Sequence, residues 1–230
     1  MFELSDNIEV TVITDIGIDR RSAVIIDNIY KNPEEVREFV SSRNKYGAKG
    51  GMPGDRVIEE TCEVKENLKP LFDDLCFDQD VWGKPTDRSS YEEQWDKAIF
   101  MCNIINDETI KNNLVGLIPH QDNYRLQPMS GQFGVVIYLN TPEECKGGTS
   151  IWSMEGQMSI DNSLYPYLYH IRNESYDTIQ SIMDLKFRKE CLLEMKYNRA
   201  VMYPTDILHS AELKLGWFSD YSRIAQVLFL

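Results

Sequence analysis

The chain contains three histidines, His120, His170 and His209, so each can be weighed as a metal ligand. His120 closes the apolar run LVGLIPH and stands two residues before Asp122. In extended chain, side chains two residues apart share a face, so His120 and Asp122 can chelate one ion. A third ligand from a distant strand, His209 in RAVMYPTDILHSAE, completes a set of two histidines and one carboxylate. Such a facial triad leaves one side of the metal open, as an iron(II) oxygenase needs in order to admit a co-substrate and dioxygen. An HxD pair alone arises often by chance. Its weight depends on the residues downstream.

Among these, Arg223 opens the otherwise apolar run SRIAQVLFL. An arginine inside an apolar strand is costly without a partner. Facing inward it needs an anion, and guanidinium pairs with carboxylate through two parallel charge-assisted bonds. A dicarboxylate co-substrate meets that need. Facing outward from an edge strand, or paired with a core Asp or Glu, the same arginine has no such role.

Short strands must position these residues. EVTVITDIG alternates as a strand does, and SAVIIDNIY is a second short apolar run. A helix over PEEVREFVSSRN is signalled by Asn32 at the N-cap, Pro33 at the first helical position and Glu34 and Glu35 near the positive end of the dipole. It presents Val36, Phe39 and Val40 on one face. The glycine-rich KYGAKGGMPGDR reads as a surface loop or as a flap over a pocket. A second helix is expected around EVKENLKPLFDDL, kinked or interrupted at Pro70. The stretch from Gln79 to Asp96, with Trp82, Tyr91 and Trp95, reads as an ordered loop. From about residue 97 six short runs (KAIFMCNII, NLVGLIPH, GQFGVVIYLN, GGTSIW, RAVMYP and SRIAQVLFL) alternate with turn residues. They predict a mostly antiparallel sandwich or barrel. The span near 153–196 breaks this rhythm and reads as a helix-containing insertion.

Bulk composition narrows the partners. With 42% hydrophobic residues and no long apolar window, the 230-residue chain can build one sizeable core and is not expected in a membrane. The start, MFELSDNIEV, lacks the pattern of a signal peptide. Five scattered cysteines without a CxxC pair point to a reducing, cytoplasmic setting. A net charge of −13 disfavours bulk nucleic acid as a partner.

The order of motifs is similar to that of a known family. HxD is followed by a strand ending Tyr138-Leu139-Asn140, then Gly147-Gly148-Thr149, NRAVMYP, His209 and Arg223. This order resembles the 2-oxoglutarate- and iron(II)-dependent dioxygenases, most nearly their prolyl-hydroxylase-like branch, over about residues 97–230. The N-terminal AVIIDNIYKNPEEVREFVSSR, with Met52-Pro53-Gly54, looks like an uncharacterised sub-branch of that superfamily. The resemblance implies a mainly β fold with N-terminal helices, a double-stranded β-helix or jelly roll. It implies one domain over 1–230, with 1–96 as helical support, 97–230 as the jelly-roll core and the insertion near 153–196. Residue by residue, it implies that His120, Asp122 and His209 hold iron(II). Arg223 would bind the far carboxylate of 2-oxoglutarate, and Tyr138 would donate a hydrogen bond to it. Gly147 and Gly148 look like backbone devices, a bulge or tight turn.

Two features depart from the family pattern. LKLGWFSD lengthens the gap between His209 and Arg223, and a shifted register would turn Arg223 away and leave Lys214 as the next candidate. The span 153–196, which holds His170, is the second; His170 reads as a packing or surface residue, or else as a substrate contact. The expected reaction consumes 2-oxoglutarate and dioxygen and releases succinate and carbon dioxide. Hydroxylation is the default outcome, because Asp122 fills the position a halide would need. The substrate is open among a small molecule, an amino acid and a protein side chain, with Trp82, Tyr91, Trp95, the glycine-rich loop and 153–196 as places for its contacts. The rival readings are a cupin-like metalloenzyme that ignores 2-oxoglutarate, an inactive jelly-roll binding module and a zinc hydrolase; the last lacks a Glu general-base motif beside the ligands.

Overall fold

The computed structural model describes residues 1–47, 54–96, 100–112, 114–122, 132–160 and 174–230. Its centre is a seven-stranded antiparallel sheet. The strands are β1 (Glu9–Ile16), β2 (Arg21–Asp27), β3 (Asp55–Glu59), β4 (Phe100–Ile105), β5 (Phe133–Tyr138), β8 (Arg199–Pro204) and β10 (Arg223–Phe229). They lie in the order β1-β2-β8-β5-β10-β4-β3. A three-stranded sheet is made by β6 (Gly148–Met154), β7 (Phe187–Glu194) and β9 (His209–Glu212), in the order β7-β6-β9.

Period-two alternation assigns the two faces of the large sheet to different neighbours. Val135 and Ile137 of β5, Ala200 and Met202 of β8 and Ile224 and Leu228 of β10 meet the N-terminal helices. These are α1 (Pro33–Ser42), α2 (Cys62–Cys76), α3 (Gln79–Trp82) and α4 (Arg88–Asp96). The intervening residues Val136, Tyr138, Val201, Tyr203 and Ala225 pack with Ile151 and Leu193 of the small sheet. The result is three layers: helices, large sheet, small sheet. The face turned to the small sheet is the inner face. Mainly antiparallel β-structure with supporting helices agrees with the expected class, and two facing antiparallel sheets are consistent with a jelly roll.

Several local expectations need correction. α1 starts at Pro33 as predicted, yet the Asn32 side chain makes no capping bond. α2 continues through Pro70 without interruption; Leu68 and Phe72 are buried in the core beneath it, and this packing compensates the hydrogen bond that proline cannot make. The stretch from Gln79 to Asp96 is two helices rather than a loop. Tyr91 and Trp95 of α4 are fully buried in the helix-side core, and Trp82 packs in a tilted arrangement against Phe133 and donates its indole N–H to the Leu75 carbonyl. Tyr91 and Trp95 are thus packing residues of the helix-side core, and Trp82 packs against that core while partly exposed. LVGLIPH is not a strand: Leu114–Leu117 is a 3-10 turn.

The span 153–196 does contain a helix, α6 (Tyr176–Lys186), preceded in chain order by the short α5 (Asp107–Asn112). It also contains β7, which pairs with β6 from Gly148↔Glu194 to Met154↔Phe187. β7 is thus part of the sheet rather than an insertion. The charged Arg188, Lys189 and Glu190 in FRKECLLE obscure its pattern. His170, and the glycine-rich stretch at 48–53, lie outside the described residues. No described helix is long and apolar enough to cross a membrane, and the four cysteines whose side chains are described are free thiols.

Candidate metal centre

After the 3-10 turn, the chain forms a single antiparallel bridge, His120↔His209. Each histidine N–H donates to the other's carbonyl at 2.9 Å. Two residues on, the Asp122 N–H donates to the Thr205 carbonyl at 3.0 Å. The intervening Gln121 points away and is buried. Its amide donates to Ser159 Oγ at 2.8 Å and its carbonyl accepts from the Ile160 N–H at 3.2 Å. The HxD segment is therefore pinned to the β8–β9 corner by backbone, with its middle side chain as an anchor.

This bridge brings the three predicted ligands together. Ligand atoms of His120, Asp122 and His209 all lie within 4.8 Å of one another, the one such group among the described residues. Asp122 Oδ2 is 3.0 Å from His209 Nε2 and Oδ1 is 3.6 Å from His120 Nε2. Donors about 2.1 Å from a metal and at right angles to one another sit about 3 Å apart, so this spacing fits one ion.

The protonation pattern fits too. His120 Nδ1 is 3.0 Å from the Ile118 carbonyl, and His209 Nδ1 is 3.0 Å from the Ile207 carbonyl. A carbonyl only accepts, so each Nδ1 carries the proton and each Nε2 presents its lone pair to the centre. Burial and the neighbouring His209 hold the His120 pKa below the ordinary histidine value. Burial opposes ionisation of Asp122, but the two histidines outweigh it and its pKa is lowered. For His209 burial pulls the pKa down, and the adjacent Asp122 carboxylate raises it overall. A carboxylate whose ionisation is favoured, beside two histidines whose Nε2 atoms face it, is a donor set suited to a divalent cation, with protons as the competitor that metal must displace.

Arg223 lies on the inner face in spite of the longer preceding loop. β10 pairs with β5 so that Ala225 faces Tyr138, and parity puts Arg223 on the same side. Phe218 is buried, and the Asp107 carboxylate accepts from the Gly216 and Phe218 N–H groups, which fixes the loop without shifting the strand. Lys214 is exposed, over the Trp217 ring. Arg223 itself is 3% exposed, and its guanidinium carbon lies 5.3 Å from the centroid of the Tyr138 ring. Its Nε is buried without a hydrogen-bond partner, and no described carboxylate is within ion-pair distance. A buried cation left this way suits an exogenous carboxylate. Tyr138 is fully buried, its hydroxyl 2.8 Å from Thr149 Oγ1.

Two residues of this site escape the sequence reading. Tyr203 packs its ring 4.5 Å from His209, and Asp122, Tyr138 and Arg223 are all close enough for their charges to bear on its hydroxyl. It thus spans the gap between the ligand cluster and the arginine. Gly134 lies directly across from it on β5, where a Cβ would come within 3.0 Å of the Tyr203 ring. The second is Thr149, which orients Tyr138. Alternation along RAVMYP, which puts Tyr203 on the face of Val201, is the available signal for the first. Gly147 and Gly148 are backbone devices as expected: φ is +73° and +153°, and a Cβ on either would meet a backbone oxygen at 2.2 Å or less.

Among solved structures, EvdMO1 is 14% identical over 85% of this chain and 41% of its own, with a TM-score of 0.41. HygX from Streptomyces hygroscopicus, solved with nickel and 2-oxoglutarate bound, is 10% identical over 95% of this chain and 80% of its own, with a TM-score of 0.37. This chain thus spans about two fifths of the length of EvdMO1, and similarity at this level says nothing about its activity. No curated protein matches. A family model does match, across residues 7–217, and the chain belongs to that family, DUF6445, a family of unknown function.

Proposed function

We propose that this protein is a 2-oxoglutarate- and iron(II)-dependent dioxygenase of the prolyl-hydroxylase-like branch, built on a double-stranded β-helix. It would hydroxylate a small-molecule, amino-acid or protein substrate and release succinate and carbon dioxide. The observation that carries this reading is the convergence of His120, Asp122 and His209 with both Nδ1 atoms tied to backbone carbonyls. The buried Arg223, which has no described carboxylate beside it and whose Nε has no partner, supports the choice of co-substrate.

When bound, iron(II) and 2-oxoglutarate supply the oxidising power that places one atom of dioxygen into a substrate C–H bond. The chain's own residues do the rest. His120 and His209 present neutral Nε2 lone pairs, and Asp122 offers one oxygen towards each. Arg223 and Tyr138 hold the far carboxylate of the co-substrate and set the direction from which it approaches the metal. Tyr203 lies between the ligand cluster and the arginine, and Val136, Ile151 and Leu193 pack with it and Tyr138 in a buried apolar cluster on the inner face.

Calorimetry on protein loaded with a redox-inert divalent cation tests this. 2-Oxoglutarate binds the loaded wild type; Asp122→Ala loses the metal, and Arg223→Ala keeps the metal but binds 2-oxoglutarate poorly. With iron(II) and air, the wild type forms succinate from 2-oxoglutarate. Metal binding with no 2-oxoglutarate binding would move the assignment to a cupin-like metalloenzyme. No metal binding at all would sink it.

A further inference from the structure

We propose that Arg56 and Asn103 form a subsite for an oxyanion on the substrate, so that the substrate is an acid rather than a neutral molecule. This rests on the oxygenase reading above and extends it to the substrate class.

The register of the large sheet places both residues. Arg56 of β3 pairs with Asn103 of β4, Asn103 with Ala225 of β10, and Ala225 with Tyr138 of β5. Tyr138 pairs with Arg199 of β8. These residues form one cross-strand row on the inner face, the face of Arg223. At one end of the row Arg199 is matched: Nε and Nη2 donate to the two oxygens of Asp27 at 2.7 and 2.8 Å. Arg21, on the same face of β2, is paired with Asp206 at 3.2 Å.

Arg56 and Arg223 are the exceptions. Arg56 Nε is buried with no hydrogen-bond partner, as is the Asn103 side-chain oxygen beside it. Among the described residues no carboxylate lies within ion-pair distance of Arg56. Burial lowers its pKa, with no carboxylate acting against that. Scarcity of acid is not the reason, since Asp and Glu outnumber Lys and Arg by 37 to 24. The stretches outside the described residues contain one acidic residue, Asp161. Arg56 is half-buried, and a guanidinium whose Nε is desolvated without a counter-charge is unfavourable unless a ligand supplies one. Arg223 has such a ligand in the co-substrate; Arg56 needs a second anion. The Asn103 oxygen would accept an N–H or O–H carried next to that anion.

The test is a titration of metal- and 2-oxoglutarate-loaded protein, and of metal-free protein, with N-acetylglycine, inorganic phosphate and neutral N-acetylglycinamide. The wild type binds at least one of the two anions more tightly than the amide. Arg56→Gln weakens that anion by about tenfold or more, Arg56→Lys retains part of the affinity, and Asn103→Asp repels the anion. 2-Oxoglutarate affinity falls with Arg223→Gln and not with Arg56→Gln. A preference for the carboxylate or for phosphate tells which oxyanion the subsite takes. Should Arg56→Gln fail to fold, Asn103→Asp measured against Arg56→Lys still decides. The proposal fails if neither anion outbinds the amide, if the Arg56 variants bind the anions as the wild type does, or if Arg56→Gln lowers 2-oxoglutarate affinity. If the wild type binds no 2-oxoglutarate, the oxygenase reading fails separately, and the anion titrations of the metal-free protein still judge the subsite.

Discussion

The two faces of the seven-stranded sheet are built from the same strands and have different compositions. On the helix side, Phe2, Phe72, Tyr91, Trp95 and Phe100 form a dry aromatic core with Val135, Ile137 and Met202. On the inner side, β10 turns Arg223 towards Tyr138, β4 contributes Asn103, and β3 contributes Arg56. A single strand serves both: in β10, Ile224 and Leu228 face the helices while Arg223 and Ala225 face the small sheet. Apolar packing against the helices and the polar residues proposed to receive ligands thus lie on opposite faces of one sheet, although Trp95 Nε1 and Gln226 Nε2 on the helix side are also buried without a partner. Substitutions on the two faces should therefore have separable consequences.

The largest effect is expected at the ligand cluster. His209→Ala or Asp122→Ala should reduce metal affinity by more than the roughly 10–100-fold that losing an outer-sphere partner costs, measured by competition with a chelator. The melting temperature of the metal-free protein should fall little. A parallel collapse of the fold would break the proposed division. On the opposite face, Trp95→Ala removes a fully buried ring and should cost about 3–5 kcal/mol in denaturant unfolding. Metal affinity of the surviving folded fraction should be unchanged.

A smaller effect is expected from the inner-face pair that needs no ligand. The hydrogen bond from Arg199 holds the Asp27 pKa below the usual carboxylate value, against the cost of burial. A lowered folded-state pKa contributes stability that is fully present above the unfolded pKa and is lost as pH falls through the folded one. Asp27→Asn should thus cost about 1–3 kcal/mol at neutral pH. The gap from wild type should narrow below about pH 4, which urea melts at stepped pH would show. A pH-independent gap would mean that the charge is not what matters. Smallest is Gly134→Ala, whose methyl meets the Tyr203 ring at 3.0 Å. Displacing that ring against His209 should weaken metal binding several-fold, while Gly134→Ser should weaken it further.

The candidate site is more legible in the sequence than the support around it. HxD, a distant histidine and a strand arginine are chemically rare residues in an apolar setting, and their types alone suggest a purpose. The helix signals of Pro33, Glu34 and Glu35 are similarly local, and α1 begins where they place it. Tyr91 and Trp95 mislead because aromatic side chains among polar neighbours look the same in a loop and on the buried side of a short helix. β7 is hidden because a strand with solvent-facing Arg188 and Lys189 loses its apolar run. Tyr203 goes unnoticed because nothing in RAVMYP says which of its two faces meets the metal ligands.

The chemistry on offer is written in the chain itself: which residues can ligate, that two of them stand two apart, and that one arginine interrupts an apolar strand. These follow from side-chain type and local period. Tertiary structure was needed to establish that His120 and His209 exchange backbone hydrogen bonds, that LKLGWFSD leaves Arg223 in register, and that Arg56 shares its face. Each depends on strand pairing between segments far apart in the chain. A shift of one residue in that pairing would turn the same side chains to the opposite face.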